Sequence, residues 1–164
     1  MENIFKEGGV EMALSGFLGQ YDITIDDKGR VRVPAKYRSQ LGDEFIIACG
    51  ENACLSIYPV ETWEKFKQQI SSLSDLDERT IEFKRRLYTN ATWGEFDSAG
   101  RVLIPVRFRE YAQLKKELVA SGVDDHFELW DAENWAAGEY SSLERRRNLQ
   151  KEIAQKLSGG SNGI

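Results

Sequence analysis

One thirteen-residue phrase occurs twice in this chain, as DDKGRVRVPAKYR at 26–38 and as DSAGRVLIPVRFR at 97–109, 71 positions further on. Six positions are identical: Asp26/Asp97, Gly29/Gly100, Arg30/Arg101, Val31/Val102, Pro34/Pro105 and Arg38/Arg109. Three more are conservative: Val33/Ile104, Lys36/Arg107 and Tyr37/Phe108. Two copies are too few for a solenoid, and the period is too long for most solenoid repeats. A copy of about fifty residues would bury too little surface to be stable alone. The copies must therefore share one core, related by a pseudo-two-fold axis.

Weaker matches extend each copy. IIACG at 46–50 aligns with LVASG at 118–122, and LSIYPVETW at 55–63 with FELWDAENW at 127–135, at an offset of 72 after one inserted residue. YDITI at 21–25 alternates as a half-buried strand does. Asp26 to Gly29 form a turn whose glycine supplies the positive φ of a tight hairpin. RVRV at 30–33 is the returning strand, and Pro34 opens a short helix, PAKYRSQL. FIIACG and CLSIYP form a second strand pair around Gly50-Glu51-Asn52, followed by a helix from Glu61 to Leu73 on Trp63, Phe66 and Ile70. The second copy repeats the plan, with TWGEF at 92–96 less regular. Ser74 with Asp77 resembles a capping box and opens a linking helix over 74–89, with Leu76, Phe83 and Leu87 on one face. The domain plan is then an N-terminal extension at 1–16, expected to be disordered; half-domains at 20–67 and 90–133; the linking helix; a C-terminal helix at 139–157; and a flexible tail at 158–164.

With 41% hydrophobic and 30% charged residues, the composition is that of a soluble globular protein. No apolar run approaches the roughly 18 residues of a membrane span, and MENIFKEGGVEMALSG has no signal-peptide pattern. Two cysteines, Cys49 and Cys54, and a single histidine, His126, cannot furnish the usual four-ligand Cys/His zinc site. Reduced thiols near strand ends fit these cysteines better than a disulfide, which points to the cytosol. His126 reads as a packed structural residue. No nucleophile–histidine pair, phosphate loop or metal cluster presents itself, so neither an enzyme, a metal nor a cofactor is expected.

The net charge of −5 looks wrong for a nucleic-acid binder, but its distribution does not. Positions 26–38 hold five basic and two acidic residues, for +3; positions 97–109 hold three and one, for +2; the rest of the chain carries −10. That is a local footprint for an anionic partner on an acidic body that suppresses indiscriminate binding. Arg30 and Arg101, just past the turns, can present a planar fork to guanine O6 and N7 or to a phosphate. Asp26 and Asp97, four residues earlier, can orient that fork. Equally, the two pairs could be turn-bracing ion pairs, which contribute little when exposed. Lys28, Arg32, Lys36 and Arg38, with Arg107 in the second copy, suit phosphates, which set register without reading sequence. Arg38 and Arg109 suit bracing of the fold or of a subunit contact just as well. Lys84-Arg85-Arg86 and Arg145-Arg146-Arg147 read as solvated faces. Trp63, Trp135, Tyr37 and Phe108 read as core or interface residues ahead of base-stacking ones.

The phrase D-x-K-G-R-V-x-[VI]-P-x-x-[FY]-R, duplicated and flanked by FLGQYDITI and TNATWGEF, resembles the MraZ family of bacterial transcription regulators from about Phe17 to about Leu157. A single such phrase is also similar to the AbrB and MazE-antitoxin group, which carries one copy per chain and dimerises. The resemblance implies an α+β fold, mostly β with helices: an AbrB-like double-split β-barrel made of two SpoVT-AbrB half-domains, plus the linking and C-terminal helices. It implies sequence-specific binding to direct repeats in the promoter of a cell-division and cell-wall gene cluster that includes the protein's own promoter. The implied partners are double-stranded DNA and copies of the chain itself in a ring, an octamer or dodecamer, with no membrane and no small-molecule substrate. The implied location is cytoplasmic and nucleoid-associated. The family's D-x-x-x-R signature falls on Asp26 to Arg30 and on Asp97 to Arg101. Ser98, Ala99 and Leu103 depart from the first copy's Asp27, Lys28 and Arg32, so the first copy is expected to be the stronger DNA contact. The competing function is a protein-binding module of antitoxin type. A DNA binder should place the Arg30 and Arg101 tips on one exposed basic face, whereas an antitoxin needs a disordered arm to wrap its partner.

Overall fold

The strands of the duplicated phrase find their partners across the two copies, not within each one. The computed structural model describes residues 6–7, 10–11 and 15–159. In chain order the elements are β1 (Lys6–Glu7), β2 (Val10–Glu11), β3 (Gln20–Thr24), β4 (Arg30–Arg32), α1 (Ala35–Leu41), β5 (Glu44–Cys49), β6 (Leu55–Pro59), α2 (Val60–Ser71) and α3 (Glu78–Thr89). The second copy follows as β7 (Ala91–Glu95), β8 (Arg101–Leu103), α4 (Val106–Tyr111), β9 (Glu117–Gly122), β10 (Phe127–Asp131) and α5 (Ala132–Ala137), before α6 (Leu143–Gly159). The fold is mixed α+β with antiparallel sheets, as expected. A six-stranded sheet runs β3-β9-β10-β6-β5-β7, and β4-β8 and β1-β2 form two-stranded ribbons.

The sheet order exchanges partners between copies. The first strand of each copy pairs with the third strand of the other, β3 with β9 and β7 with β5. Two ladders lie on the pseudo-two-fold axis, because equivalent residues face each other there. Val31 pairs with Val102 in the β4–β8 ribbon, and Ser56 with Glu128 between β6 and β10. Single bridges, Ile25↔Val31 and Phe96↔Val102, tie the ribbon to the two ends of the large sheet. The expected double-split barrel is not closed into one continuous sheet: the β4–β8 ribbon meets the large sheet through isolated bridges instead of full ladders.

Two expectations are corrected. RVRV does not run back along β3 as a hairpin strand; it meets it at one bridge and forms its ladder with β8. The reason is local: the Arg30 amide that would return a ladder bond to the Asp26 carbonyl donates to the Asp26 side chain at 2.9 Å, and Gly29 N–H takes that carbonyl at 3.0 Å. The second correction concerns alignment. Opposite Leu55 stands Cys49, and opposite its equivalent Phe127 stands Gly122, so β5 and β9 correspond at an offset of 73, one residue beyond the letter match of IIACG to LVASG. A one-residue slip would turn every side chain to the wrong face.

With that register the main core is symmetric. Apart from Phe17 and Ile25, its buried side chains fall into equivalent pairs: Val31/Val102, Val33/Ile104, Tyr37/Phe108, Leu41/Ala112, Phe45/Leu118, Ile47/Ala120, Leu55/Phe127 and Ile57/Leu129. Burying each of the larger ones contributes about 1.5–3 kcal/mol, and neither copy could bury its own set alone. Phe17 packs its ring on Tyr37 and Phe127, and Tyr37 fixes that approach by donating its hydroxyl to the Leu18 and Gly19 carbonyls, both at 2.8 Å. A smaller cluster of Ile46, Ala48 and Trp63 lies on the other face of β5, with Leu87 of α3 packed against it.

The linking helix starts later than expected. Asp77, not Ser74, is its N-cap, accepting from Arg79 N–H at 2.9 Å. Leu76 is 98% exposed and Phe83 is exposed, so of the three expected face residues only Leu87 packs inward. The chain divides into two compact units, Met1–Asp131 and Ala132–Ile164. In the second unit α6 runs to Gly159, two residues past the expected end, with no buried side chain, and the Trp135 and Tyr140 rings pack at a tilt, 4.7 Å between centroids. Of the expected disordered extension and flexible tail, residues 1–5, 8–9, 12–14 and 160–164 lie outside the described residues. Among those described, no helix is long and apolar enough to cross a membrane.

Candidate nucleic-acid interface

Each copy builds the same turn from the same parts. Asp26 N–H donates to the Arg30 carbonyl at 2.9 Å, and Gly29, at φ +84°, closes the loop on the Asp26 carbonyl. One Asp26 oxygen, Oδ1, accepts from the Lys28 and Arg30 amides at 3.0 and 2.9 Å; the other, Oδ2, accepts from Arg30 Nε at 2.8 Å. The second turn repeats this with Asp97, accepting from Ala99 and Arg101 amides at 2.9 and 2.8 Å and from Arg101 Nε at 3.2 Å. An aspartate suits the position because its short side chain reaches amides two and four residues on. These amide bonds, first of all from Arg30, hold the Asp26 carboxyl below the ordinary 3.8; partial desolvation opposes them and the Arg30 guanidinium assists. Asp97 is lowered in the same way, chiefly by the Arg101 amide.

The two turns meet on one face. In the β4–β8 ribbon Val31 and Val102 point into the core, so Arg30, Arg32, Arg101 and Leu103 share the opposite side. Arg30 stands opposite Leu103, and Arg32 opposite Arg101. Arg101 Nη1 lies 3.8 Å from Asp26 Oδ2, and Arg32 Nη1 donates to the Ala99 carbonyl of the other turn at 3.1 Å. The side chains of Arg30 and Arg101 keep 28% and 31% of their surface exposed. Each uses Nε on its own aspartate, which fixes the guanidinium while leaving its outer edge for a further acceptor.

The remaining expected site residues divide. Lys28 is exposed at the first turn and Lys36 is exposed on α1. Arg107, the counterpart of Lys36, is directed to the end of α3, where its Nη2 donates to the Thr89 carbonyl. Arg38 and Arg109 cross the pseudo-two-fold axis: Arg38 reaches Gly100 and Arg109 reaches Gly29. The expected DNA-contact residues did not include Arg109, although its identity with Arg38 in the repeat was a signal. Tyr37, Phe108 and Trp63 are buried core residues. Among the described residues no group of three or more His, Cys, Asp or Glu side chains could hold a metal ion.

Two pseudo-symmetric α+β halves sharing one core, each presenting an Asp–Arg turn on a common ribbon, define a duplicated-half protein with a paired polar tip. A family model described as "MraZ protein, putative antitoxin-like" matches residues 17–84 and again 87–155. The chain belongs to the MraZ family. Among its relatives, "Transcriptional regulator MraZ" of Limosilactobacillus fermentum is 45% identical over 121 residues, covering 74% of this chain and 85% of that protein. The protein of the same description from Halothermothrix orenii is 41% identical over 141 residues, 86% of this chain and 96% of its own. That of Roseiflexus castenholzii is 38% identical over 142 residues, 87% and 96%.

Proposed function

We propose that this chain is a DNA-binding transcriptional regulator that applies the β4–β8 ribbon and its two turns to double-stranded DNA. The observation that carries this is the convergence of Arg30, Arg32 and Arg101 on the outer side of one ribbon, in an otherwise acidic chain. The regulatory descriptions of its relatives support the same assignment. Arg30 and Arg101 read base edges, each held in place by its aspartate; Lys28, Arg32 and Lys36 meet phosphates. The target is direct repeats in the promoter of a cell-division and cell-wall gene cluster, including the chain's own promoter. Binding by one ribbon is weak, and a homo-oligomeric ring raises it by offering several tips to regularly spaced repeats. The protein acts in the cytoplasm at the nucleoid, as a binder and not a catalyst.

The test is fluorescence anisotropy on DNA from upstream of the chain's own gene and on a scrambled duplex, across a salt series. Wild type should prefer the native sequence, and Arg30→Ala should abolish the preference. A loss shared by all sequences, with the salt slope reduced by about one, makes Arg30 a phosphate contact instead. No binding by assembled wild type removes the promoter assignment. It leaves the competing one, a protein-partner module, to which the family description's "antitoxin-like" points.

A further inference from the structure

We propose that Arg38 and Arg109 are positioning residues that act across the two copies. Each lays its guanidinium on the glycine turn of the opposite copy and so fixes the Asp–Arg pair held there. A Cβ added to Gly29 would stand 2.6 Å from Arg109 Cζ and 2.8 Å from its Nε; one added to Gly100 would strike Arg38 Nη1. The two contacts are equivalents under the pseudo-two-fold axis, so the arrangement occurs twice from independent residues. Glycine at these positions answers two demands at once, a positive φ of +84° or +75° and a surface flat enough to receive the guanidinium.

The choice of arginine follows from that surface. Arg109 Nε is buried and has no hydrogen-bond partner among the described residues. A planar, weakly hydrated guanidinium tolerates such packing against backbone, where a compact, strongly hydrated ammonium does not. Arg38 sits on α1 and Arg109 on α4, so each short helix is joined to the turn of the other copy and not to the one it follows. The two arms make the paired turns one body and set the separation of Arg30 from Arg101. A base-reading constellation needs its groups held to within about half an ångström. The functional consequence rests on the proposed DNA binding; the positioning itself does not.

The first measurement is amide hydrogen exchange by NMR on the full chain. Arg109→Ala should speed exchange at Lys28 and Arg30, whose amides donate to Asp26, by about tenfold relative to Ala99 and Arg101. Arg38→Ala should do the reverse, loosening Ala99 and Arg101. The ratio between turns separates this from a general loss of stability. Unchanged ratios, or loosening of the variant's own turn, overturn the proposal. Arg109→Lys, which keeps the charge and the stem, should behave as Arg109→Ala; wild-type exchange in that variant overturns the packing role. On DNA, both alanine variants should lower the preference for native over scrambled sequence by about tenfold, the discrimination one well-placed arginine carries, with the salt slope unchanged. A slope reduced by about 0.9 would make the residue a phosphate contact and overturn the assignment. If wild type binds no DNA, the functional assignment fails and the exchange ratios still decide the positioning.

Discussion

The two copies keep their symmetry in the core and abandon it on the outer face. On the core side even a mismatch is compensated. Ile23 of β3 pairs with Leu118, and by the pseudo-two-fold axis the equivalent pair is Gly94 with Phe45. A Cβ on Gly94 would collide with the Phe45 ring, which fills the space that Ile23 occupies in the other copy. Two medium side chains are exchanged for one large and none, so the fold fixes the summed volume of the pair and leaves its division free. On the outer face nothing compensates. Lys28 and Arg32 of the first copy are replaced by Ala99 and Leu103, the latter 58% exposed. Asp26 braces Arg30 and approaches Arg101 as well, while among the described residues the ion pair of Asp97 is with its own arginine. A shared core demands equivalence; a surface that meets an asymmetric partner does not.

The strongest way to break the volume comparison is to transplant one member of a pair. Gly94→Ile introduces a side chain where Phe45 Cδ2 and Ile47 Cδ1 would lie only 2.9 and 3.0 Å from the first new atom. Gly94 has no positive φ, so the cost is one of space. Urea unfolding should show a loss of about 3 kcal/mol or more. Adding Phe45→Leu, which recreates the Ile23–Leu118 pair, should recover stability to within about 1 kcal/mol of wild type. A double variant as unstable as the single would show that the copies do not trade volume at this position.

Much of this was legible in the sequence, for reasons that also mark where it stopped. The repeat demanded a shared core, period-two alternation located β3, and two apolar runs around Gly50-Glu51-Asn52 located β5 and β6. Pro34 and Pro105 marked where β4 and β8 give way to helix. The partner of β4 was not legible, because a three-residue strand carries no pattern that distinguishes a hairpin from a cross-copy ribbon. The true register of β9 was masked because Leu118-Val119 resembles Ile46-Ile47 in letters, whereas ladder position matches Leu118 to Phe45. Only the face each side chain occupies reveals the difference. The Asp–Arg spacing gave the turn pairs directly, since four residues around a glycine turn bring the two side chains together. Contacts of Arg32, Arg38 and Arg109 with the opposite copy depend on tertiary placement; the recurrence of the same arginine at 38 and 109 is a trace of the last two, and Arg32, replaced by Leu103 in the second copy, left none.

The charge difference between the tips gives a smaller, sharper test. If the first copy carries the greater share of phosphate contact, Arg32→Leu should reduce the magnitude of the salt slope for DNA binding by about 0.9, and Leu103→Arg should raise it by a similar amount. Together they would exchange the tips' characters and leave the total slope near its original value. An unchanged slope in Arg32→Leu would assign Arg32 to its other visible task, the hydrogen bond to the Ala99 carbonyl.

The smallest effect concerns protons. Both turn aspartates are held below the ordinary 3.8, first by the amide of the arginine four residues on. A depressed carboxyl favours the folded turn wherever it is ionised. The contribution is therefore complete well above pH 3.8 and is lost as pH falls through the lowered folded-state value. Carboxyl chemical shifts followed by NMR should place both midpoints under 3.8. Arg30→Ala should raise the Asp26 midpoint and leave Asp97 in place. Arg101→Ala should raise Asp97 clearly and Asp26 slightly, because Arg101 Nη1 stands 3.8 Å from Asp26 as well. Two midpoints that each answer only to their own arginine would mean that the turns are electrostatically independent. The asymmetry of the paired tip would then reside in its exposed side chains alone.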